Sequence, residues 1–389
     1  MNLKSHFRRF LEADPDRLHF AAHSHHLWPD VTFAAQQKCW DDAARLADRK
    51  WDHVFGAVYP AAQGHVARVL NLSRPGDIAF GTNTHGLVMR LISCLPAGRA
   101  IAILTTDGEF HSFARQTRRL EEDGLARVTR VPVEPFVDFP ARFAEAAARG
   151  GHDLVYFSQV FFDSGYAVPD PAALVGAVPD DETLVAVDGY HGFMALPTNL
   201  SEIEGRAFYL AGGYKYAMAG EGAAFLHAPP GRAMRPRDTG WYAAFGALEA
   251  GEAGAVAFAP DGTRFLGATF DPVGLYRLNA VMDWLADQKV SVAHIHGHAH
   301  ALQRTFMEGL GALRLDALHP GQLLLPIEEA SRGHFLTFRT ARAGDIYRAL
   351  LGRNVITDHR GDRLRFGFGL YHDEEVVERL VRVLGQVLG

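Results

Sequence analysis

The stretch Thr183-Leu-Val-Ala-Val-Asp188-Gly-Tyr-His191 is followed, after a short gap, by Ala207-Phe-Tyr-Leu-Ala-Gly-Gly-Tyr-Lys215-Tyr216. Each opens with a short apolar run of the kind that forms a buried parallel strand. The first run ends at Asp188, and the second is followed by a glycine pair and Lys215. Because the carboxyl ends of parallel strands meet at one edge of a sheet, we expect this carboxylate and this amine to lie close together.

Strand-like and helix-like segments alternate around this stretch. The predicted strands cover residues 100–105, 126–132, 154–159, 183–187, 207–211 and 222–226. The predicted helices cover residues 31–50, 56–72, 87–95, 112–122, 140–149 and 171–178. Such alternation is typical of an α/β fold with a mostly parallel sheet and helices on both faces.

The pattern changes after Pro272. A long helix is predicted over 272–311, with a break near Lys289, and short strands follow around 335–339 and 363–368. Two further helices are predicted over 344–351 and 373–388. We therefore expect an N-terminal arm over 1–55, a large α/β domain over 56–272 and a smaller α+β domain over 273–389.

Composition excludes several classes of protein. The chain has 389 residues, of which 48% are hydrophobic and 22% are charged, as in globular proteins with a large core. A net charge of −6 gives no general attraction to nucleic acid, and no apolar run is long enough to span a membrane. The two cysteines, Cys39 and Cys94, make no disulfide framework. We expect a cytoplasmic protein that binds neither nucleic acid nor membrane.

Paired as they are, Asp188 and Lys215 predict pyridoxal 5'-phosphate (PLP) chemistry. A lysine amine forms an imine with the PLP aldehyde, and a carboxylate keeps the ring nitrogen protonated so that the ring accepts electrons. Both residues are therefore predicted to bind the cofactor and to take part in catalysis. Taken singly, an acid or a lysine near a strand end is more often surface charge.

Other residues after predicted strands fit the remaining needs of PLP. Thr84 and His85 lie where a strand passes into a helix, and a helix N-terminus binds anions such as a phosphate. Phe110 could stack on the ring, and His191 could hydrogen-bond the ring oxygen or the Asp188 carboxylate. Arg365 could hold a substrate carboxylate through two hydrogen bonds.

Several motifs carry a resemblance to a known family. They are Val187-Asp188-Gly-Tyr-His191, Tyr214-Lys215-Tyr216, Phe110-His-Ser112, Gly240-Trp241, Ala268-Thr269 and Leu364-Arg-Phe-Gly-Phe368. With them the chain resembles fold-type I PLP enzymes of the aminotransferase class V superfamily, and within it most of all the kynureninases. The resemblance implies a mostly parallel seven-stranded sheet sandwiched by helices, with a smaller C-terminal α+β domain.

The resemblance also implies roles for single residues. Tyr214 and Ser158 would contact the cofactor, and Tyr214 is a candidate acid or base in catalysis. Arg365 would grip the substrate α-carboxylate. Trp241 and Thr269 would reach the phosphate of the partner subunit, so a homodimer is expected whose active sites are completed across the interface.

Two departures fall on the substrate side. The family's Asn-Ser-Leu-Gly segment is replaced by His23-Ser-His-His26, and His25 in this segment is a candidate substrate-binding residue. The family's Asn and Arg over the ring become Phe161 and Asp163. The resemblance therefore predicts the cofactor-binding residues better than the substrate-binding residues.

The expected reaction is hydrolysis of the Cβ–Cγ bond of an L-kynurenine-type amino acid, which gives alanine and an acid. The alternatives are a class V aminotransferase and a β-eliminating C–S lyase acting on another amino acid. Cysteine desulfurases of the same fold need a cysteine nucleophile in the region of residues 325–350, and this chain has no cysteine after Cys94.

The stretch His294-Ile-His-Gly-His-Ala-His300 has helical spacing that brings pairs of histidines together. It lacks the glutamate of a His-Glu-x-x-His zinc motif. We expect a solvated helix face here and no metal site.

Overall fold

A computed structural model describes residues 3–232, 234–250, 255–327 and 331–389. The strands are β1 (Leu18–His19), β2 (Ile78–Gly81), β3 (Ile101–Thr106), β4 (Ala126–Val131), β5 (Leu154–Ser158), β6 (Leu184–Asp188), β7 (Ala207–Ala211), β8 (Ala224–His227), β9 (Phe335–Arg339), β10 (Val355–Ile356), β11 (Asp358–Arg360) and β12 (Arg363–Gly367). The helices are α1 (Arg8–Glu12), α2 (Val31–Leu46), α3 (Lys50–His53), α4 (Tyr59–Leu70), α5 (Thr84–Ser93), α6 (His111–Glu122), α7 (Phe139–Ala148), α8 (Pro171–Gly176), α9 (Val273–Asp287), α10 (Val292–Leu313), α11 (Ala343–Leu351) and α12 (Glu374–Leu388).

The main sheet has seven strands in the order β2-β8-β7-β6-β5-β3-β4. All are parallel except β8, which runs antiparallel to both of its neighbours. Successive side chains of β5 enter different cores: Val155 and Phe157 join one cluster, and Leu154 and Tyr156 join another. A strand buried on both faces needs helices on both sides, which confirms the predicted α/β class.

A second core packs the C-terminal elements together. The antiparallel sheet β11-β12-β9 lies in it with α10, α11 and α12. The N-terminal segment joins this core, because β1 pairs with β10 and Phe20 is fully buried in the cluster. The division into 1–55, 56–272 and 273–389 remains a prediction.

The element boundaries mostly agree with the sequence pattern, with three short strands missed. The break near Lys289 is confirmed, since α9 and α10 are separated there and Lys289 has a φ of 55°. The strands β1, β10 and β11 were not predicted, because two or three residues carry no readable alternation. The reversal of β8 follows from the connection 212–223, which carries Lys215 in place of a crossover helix.

The prediction of a solvated face for the histidines of α10 is wrong for His296, His298 and His300. Nδ1 of His296 lies 3.1 Å from Nε2 of His334, and the His296 and His300 rings are 4.0 Å apart. Nε2 of His298 lies 3.0 Å from the carbonyl oxygen of His372. His296 and His300 pack against His334 in the loop before β9, and His298, on another side of α10, contacts the loop before α12. Helical spacing does not reveal such tertiary contacts.

Within the described ranges no cluster of three or more His, Cys, Asp or Glu side chains is arranged to hold a metal. In the same part of the chain, no helix has the length and apolar character needed to cross a bilayer.

Candidate active site

Asp188 and Lys215 meet at the carboxyl edge of the main sheet. Asp188 is the last residue of β6, and Lys215 lies in the connection after the neighbouring strand β7. Gly189 lets the chain turn away, because a Cβ there would lie 2.0 Å from the hydroxyl oxygen of Tyr209. A larger residue at this position would displace the strand end that carries the carboxylate.

The two residues line a cavity of about 270 Å³. Most of the predicted cofactor residues share this cavity. Its lining comprises Asn83, Thr84, His85, Phe110, Ser112, Ser158, Val160, Phe162, Asp188, Tyr190, His191, Tyr214 and Lys215. A wider outer cleft shares His85, Ser112 and Phe162 with it.

Lys215 is buried, and its amine is held by aromatic neighbours. Its Nζ lies 2.6 Å from Nε2 of His191 and 5.0 Å from the centre of the Tyr190 ring. Burial lowers the pKa of Lys215 to about 7, although the nearby Asp188 carboxylate opposes the shift. A large fraction of the amine is therefore neutral near pH 7 and able to act as a nucleophile.

The Asp188 carboxylate is fixed by two donors. The backbone N–H of Tyr190 donates to Oδ1 over 2.9 Å, and the Tyr156 hydroxyl donates to Oδ2 over 3.0 Å. Burial raises the pKa of Asp188, while the Tyr190 hydrogen bond and the Lys215 charge lower it. His191 has no hydrogen bond to Asp188 among the described contacts; its partner is the Lys215 amine.

Glu109 is a buried carboxyl group that the sequence reasoning missed. The Ser158 hydroxyl donates to one of its oxygens over 2.6 Å, and the Thr106 hydroxyl donates to the other over 2.7 Å. Burial raises the pKa of Glu109 to about 8, and the Asp188 charge adds to the shift. Glu109 lies shortly after β3, next to Phe110. This position near the end of a strand, which other site residues share, is the sequence signal that could have identified it.

Two helices begin at the cavity wall. α5 starts at Thr84, and the Asn83 side chain caps it by accepting from the Gly86 N–H over 2.9 Å. α6 starts at His111, next to Ser112 in the cavity lining. The first N–H groups of a helix have no intrahelical partner, so both ends favour an anion.

These residues fit PLP. The cavity offers an amine, a fixed carboxylate, two helix N-termini for a phosphate and the Phe110 ring, whose centre lies 5.4 Å from Nζ of Lys215. Nδ1 of His191 is buried without a hydrogen-bond partner in the described structure. A bound polar ring would satisfy such an atom.

Arg365 lies beneath the cavity and does not line it. It is 3% exposed, and its guanidinium donates to the Asp358 carboxylate and to the Phe162 carbonyl. Its carbon Cζ lies 5.8 Å from the centre of the Phe162 ring, which does line the cavity. Its Nε has no partner among the described atoms.

Three other predicted residues lie outside the cavity of this chain. Trp241 is 44% exposed, and Thr269 is also exposed. The side chain of His25 is 64% exposed; its ring stacks on that of Tyr214 at 5.0 Å and lies 3.9 Å from the Glu221 carboxylate.

The two residues that replace the family's Asn and Arg lie in different environments. Phe161 is fully buried in the large core. Asp163 forms an ion pair with Arg363 at the outer cleft.

The sequence matches the aminotransferase class-V family over residues 34–380. It is 29% identical to isopenicillin N epimerase of Streptomyces clavuligerus over 372 residues, which cover 89% of each chain. It is 30% identical to the kynureninase of Deinococcus radiodurans over 240 residues, which cover 60% of this chain and 57% of that protein.

Solved structures share the fold at lower identity. A mutant of C-DES with glycine covalently linked to its PLP cofactor superposes with a TM-score of 0.83 at 18% identity, covering 98% of this chain and 99% of that one. A cysteine desulfurase of Thermococcus onnurineus NA1 superposes with a TM-score of 0.80 at 18% identity, covering 100% and 98%. On the family match and this fold, the chain belongs to the aminotransferase class-V family of PLP-dependent enzymes.

Proposed function

We propose that this enzyme hydrolyses the Cβ–Cγ bond of an L-kynurenine-type amino acid, releasing alanine and an acid. The observation that carries the proposal is the buried, low-pKa amine of Lys215 beside the fixed Asp188 carboxylate and the Tyr214 phenol. The partial similarity to kynureninases supports this branch.

The cofactor would be held by residues of the cavity. Lys215 would bind its aldehyde, Asp188 its ring nitrogen, and Phe110 would stack on the ring. Thr84, His85 and the start of α5 would receive the phosphate. Ser158 and His191 would contact the ring from the remaining sides. When bound, PLP supplies the electron sink that makes bonds at Cα labile.

The proton transfers fall to Lys215 and Tyr214. The Lys215 amine would remove the Cα proton of the bound substrate, a task for which a pKa of about 7 suits it. Burial raises the pKa of Tyr214 to about 12, which keeps the phenol protonated and able to donate while water adds to the γ-carbonyl.

Arg365 would hold the substrate α-carboxylate, since a guanidinium offers parallel donors to that group. Fixing this end of the substrate would determine which bond at Cα is perpendicular to the cofactor ring. The Asp358 carboxylate orients the guanidinium, as their ion pair indicates.

The enzyme would act as a homodimer. Trp241 and Thr269 lie on the surface, away from the cavity of their own chain. Exposed aromatic side chains of this kind are enriched where proteins meet. Both residues would complete the phosphate site of the partner subunit.

A β-eliminating C–S lyase is the second candidate. A cystine C–S lyase, C-DES, in complex with its product cysteine persulfide superposes with a TM-score of 0.81 at 18% identity. Such a reaction needs the same Cα proton removal by Lys215 and no cysteine nucleophile. A class V aminotransferase uses the same first step.

Product analysis separates these reactions. The purified enzyme with PLP is incubated with L-kynurenine, with L-cystine, and with amino donors plus 2-oxo acids. Alanine with anthranilate supports the proposal. Pyruvate from cystine, or a new amino acid, would replace it with the lyase or the aminotransferase. The Lys215→Ala variant serves as the inactive control.

A further inference from the structure

His23 is a buried histidine with unsatisfied ring nitrogens. Its side chain is 1% exposed, and neither Nδ1 nor Nε2 has a hydrogen-bond partner in the described structure. Leaving a buried polar group unpaired is costly, so such a group calls for an absent partner. The exposed His25, two residues away, has no such need.

The surroundings of His23 are built to hold its ring. The ring stacks on Phe335 with centres 4.7 Å apart and planes at 24°. Across the strands Phe335 pairs with Gly367, and a Cβ on Gly367 would lie 2.3 Å from Nδ1 of His23. A glycine at this position is therefore required for the imidazole to fit.

The same sheet face carries Arg365. Thr337 lies directly opposite Arg365 on β9, two pairs along from Phe335 and Gly367 and so on the same face, and Asp358 lies opposite Arg365 on β11. Paired residues share a face, so His23 packs over the face that presents the guanidinium. Its Nε2 lies 3.9 Å from the Asp358 carboxylate.

Further unsatisfied polar atoms lie on this face. Nε of Arg365 and Oγ1 of Thr337 are buried and have no hydrogen-bond partner among the described residues. Nε of the guanidinium, the Thr337 hydroxyl and the His23 imidazole make three donors on one face of the sheet that are unpaired in the described structure, and they match a carboxylate, which accepts several hydrogen bonds.

We propose that His23 binds the α-carboxylate of the amino-acid substrate together with Arg365, as a neutral hydrogen-bond donor. This inference rests on the proposed function, in which Arg365 holds that carboxylate. The carboxylate would reach the pair past the ring of Phe162, which lines the cavity and whose centre lies 5.8 Å from Cζ of Arg365.

A neutral donor suits this position. Burial, followed by the charges of Arg365 and Lys215, lowers the pKa of His23 well below its ordinary value. A second cation would repel the guanidinium and the Lys215 amine. An uncharged imidazole adds a hydrogen bond without that repulsion.

The test compares two probes that differ only at the carboxyl group, L-alanine and L-alaninamide. Both are titrated into the PLP-loaded enzyme, and the change in visible absorbance of the lysine-bound cofactor gives an affinity for each. We expect the preference for alanine over alaninamide to fall about tenfold or more in His23→Leu, since a hydrogen bond to a charged group is lost. His23→Gln, which keeps a donor, should retain part of it.

Thermal unfolding of the protein without either probe distinguishes binding from a structural role. Removing unsatisfied polar atoms should leave His23→Leu at least as stable as the parent. His152→Gln, in the loop before β5 at the other edge of the sheet, is the control and should change neither quantity. A less stable or unfolded His23→Leu, or a preference unchanged within about twofold in a stable one, would overturn the inference. A parent enzyme that never develops the visible band would instead overturn the proposed function.

Discussion

The Asp188 carboxylate lines the small cavity, and the buried Glu109 carboxyl group is hydrogen-bonded to Ser158 of the same lining. Like charges at short range cannot both ionise cheaply in a buried site. The raised pKa of Glu109, about 8, favours the protonated form of this residue near neutral pH. Asp188 can then carry the negative charge that a pyridinium partner needs.

Replacing Glu109 tests this division. Glu109→Gln mimics the protonated acid and should fold and take up PLP like the parent. A group whose folded pKa is raised loses its stabilising effect as pH rises from the unfolded value towards the folded one. Between pH about 4.5 and 8, the thermal unfolding midpoint of Glu109→Gln should therefore rise relative to that of the parent as pH increases. Midpoints that stay parallel across this range would show that Glu109 is ionised throughout.

Some site residues were predictable one by one, and others were not. Asp188 ends a strand, and Lys215 and Phe110 follow strands, where an α/β sheet exposes side chains at its binding edge. His23 was not separable from His25, because residues 20–26 have no regular alternation that assigns a face. The pairing of Arg365 with Asp358 depends on the register of β11 and β12, which the sequence does not specify.

At the scale of elements, the N-terminus of α5 is the proposed binding site of the PLP phosphate. The helix is positioned by the Asn83 cap, whose side chain accepts from the Gly86 N–H. Losing such a cap costs about 1 kcal/mol and frays the first turn, which would carry the anion-binding N–H groups.

Asn83→Ala should therefore weaken PLP binding as well as lower stability by about 1 kcal/mol. The matched control is Asp170→Ala, which removes the cap of α8, where Asp170 accepts from the Ala173 N–H over 3.0 Å. That variant should lose comparable stability and keep its PLP affinity. Fluorescence titration of the apoprotein with PLP measures the affinity of each variant. Equal affinities in the two variants would argue against the helix as the phosphate site.

The alternation of strands and helices predicted most of the main sheet, because short apolar runs separated by helix-like segments carry that signal. The direction of β8 and the short strands of the second sheet depend on contacts between distant segments. The pairing of β1 with β10 joins residues near the two ends of the chain. No local pattern contains that information.

On the scale of the whole molecule, buried histidines connect the N-terminal segment, α10 and the second sheet. Burial lowers the pKa of His19 to about 3, of His26 to about 4 and of His300 to about 3, and neighbouring charges add to the shift for His19 and His300. The pKa of His334, which lies between α10 and the Tyr216 ring, is also lowered, first by burial and then by His296. Folding therefore requires these imidazoles to be neutral.

The protein should lose stability in mild acid. Below the ordinary histidine pKa of 6.5 the unfolded chain takes up protons that the folded state refuses, and the loss continues down to the folded values of about 3 to 4. Thermal unfolding midpoints should fall steeply from pH 6.5 to pH 4.5. His300→Leu, which removes one such group, should make the decline shallower. A midpoint that holds steady to pH 5 would contradict this account.

The claim on which everything else depends is that Lys215 carries the cofactor. The PLP-loaded enzyme is reduced with borohydride and digested, and its peptides are mapped by mass spectrometry. We predict one PLP-derived mass increase, on the peptide that contains Lys215, and none in Lys215→Ala. A stable adduct on another lysine, or no adduct in an enzyme saturated with PLP, would contradict the account.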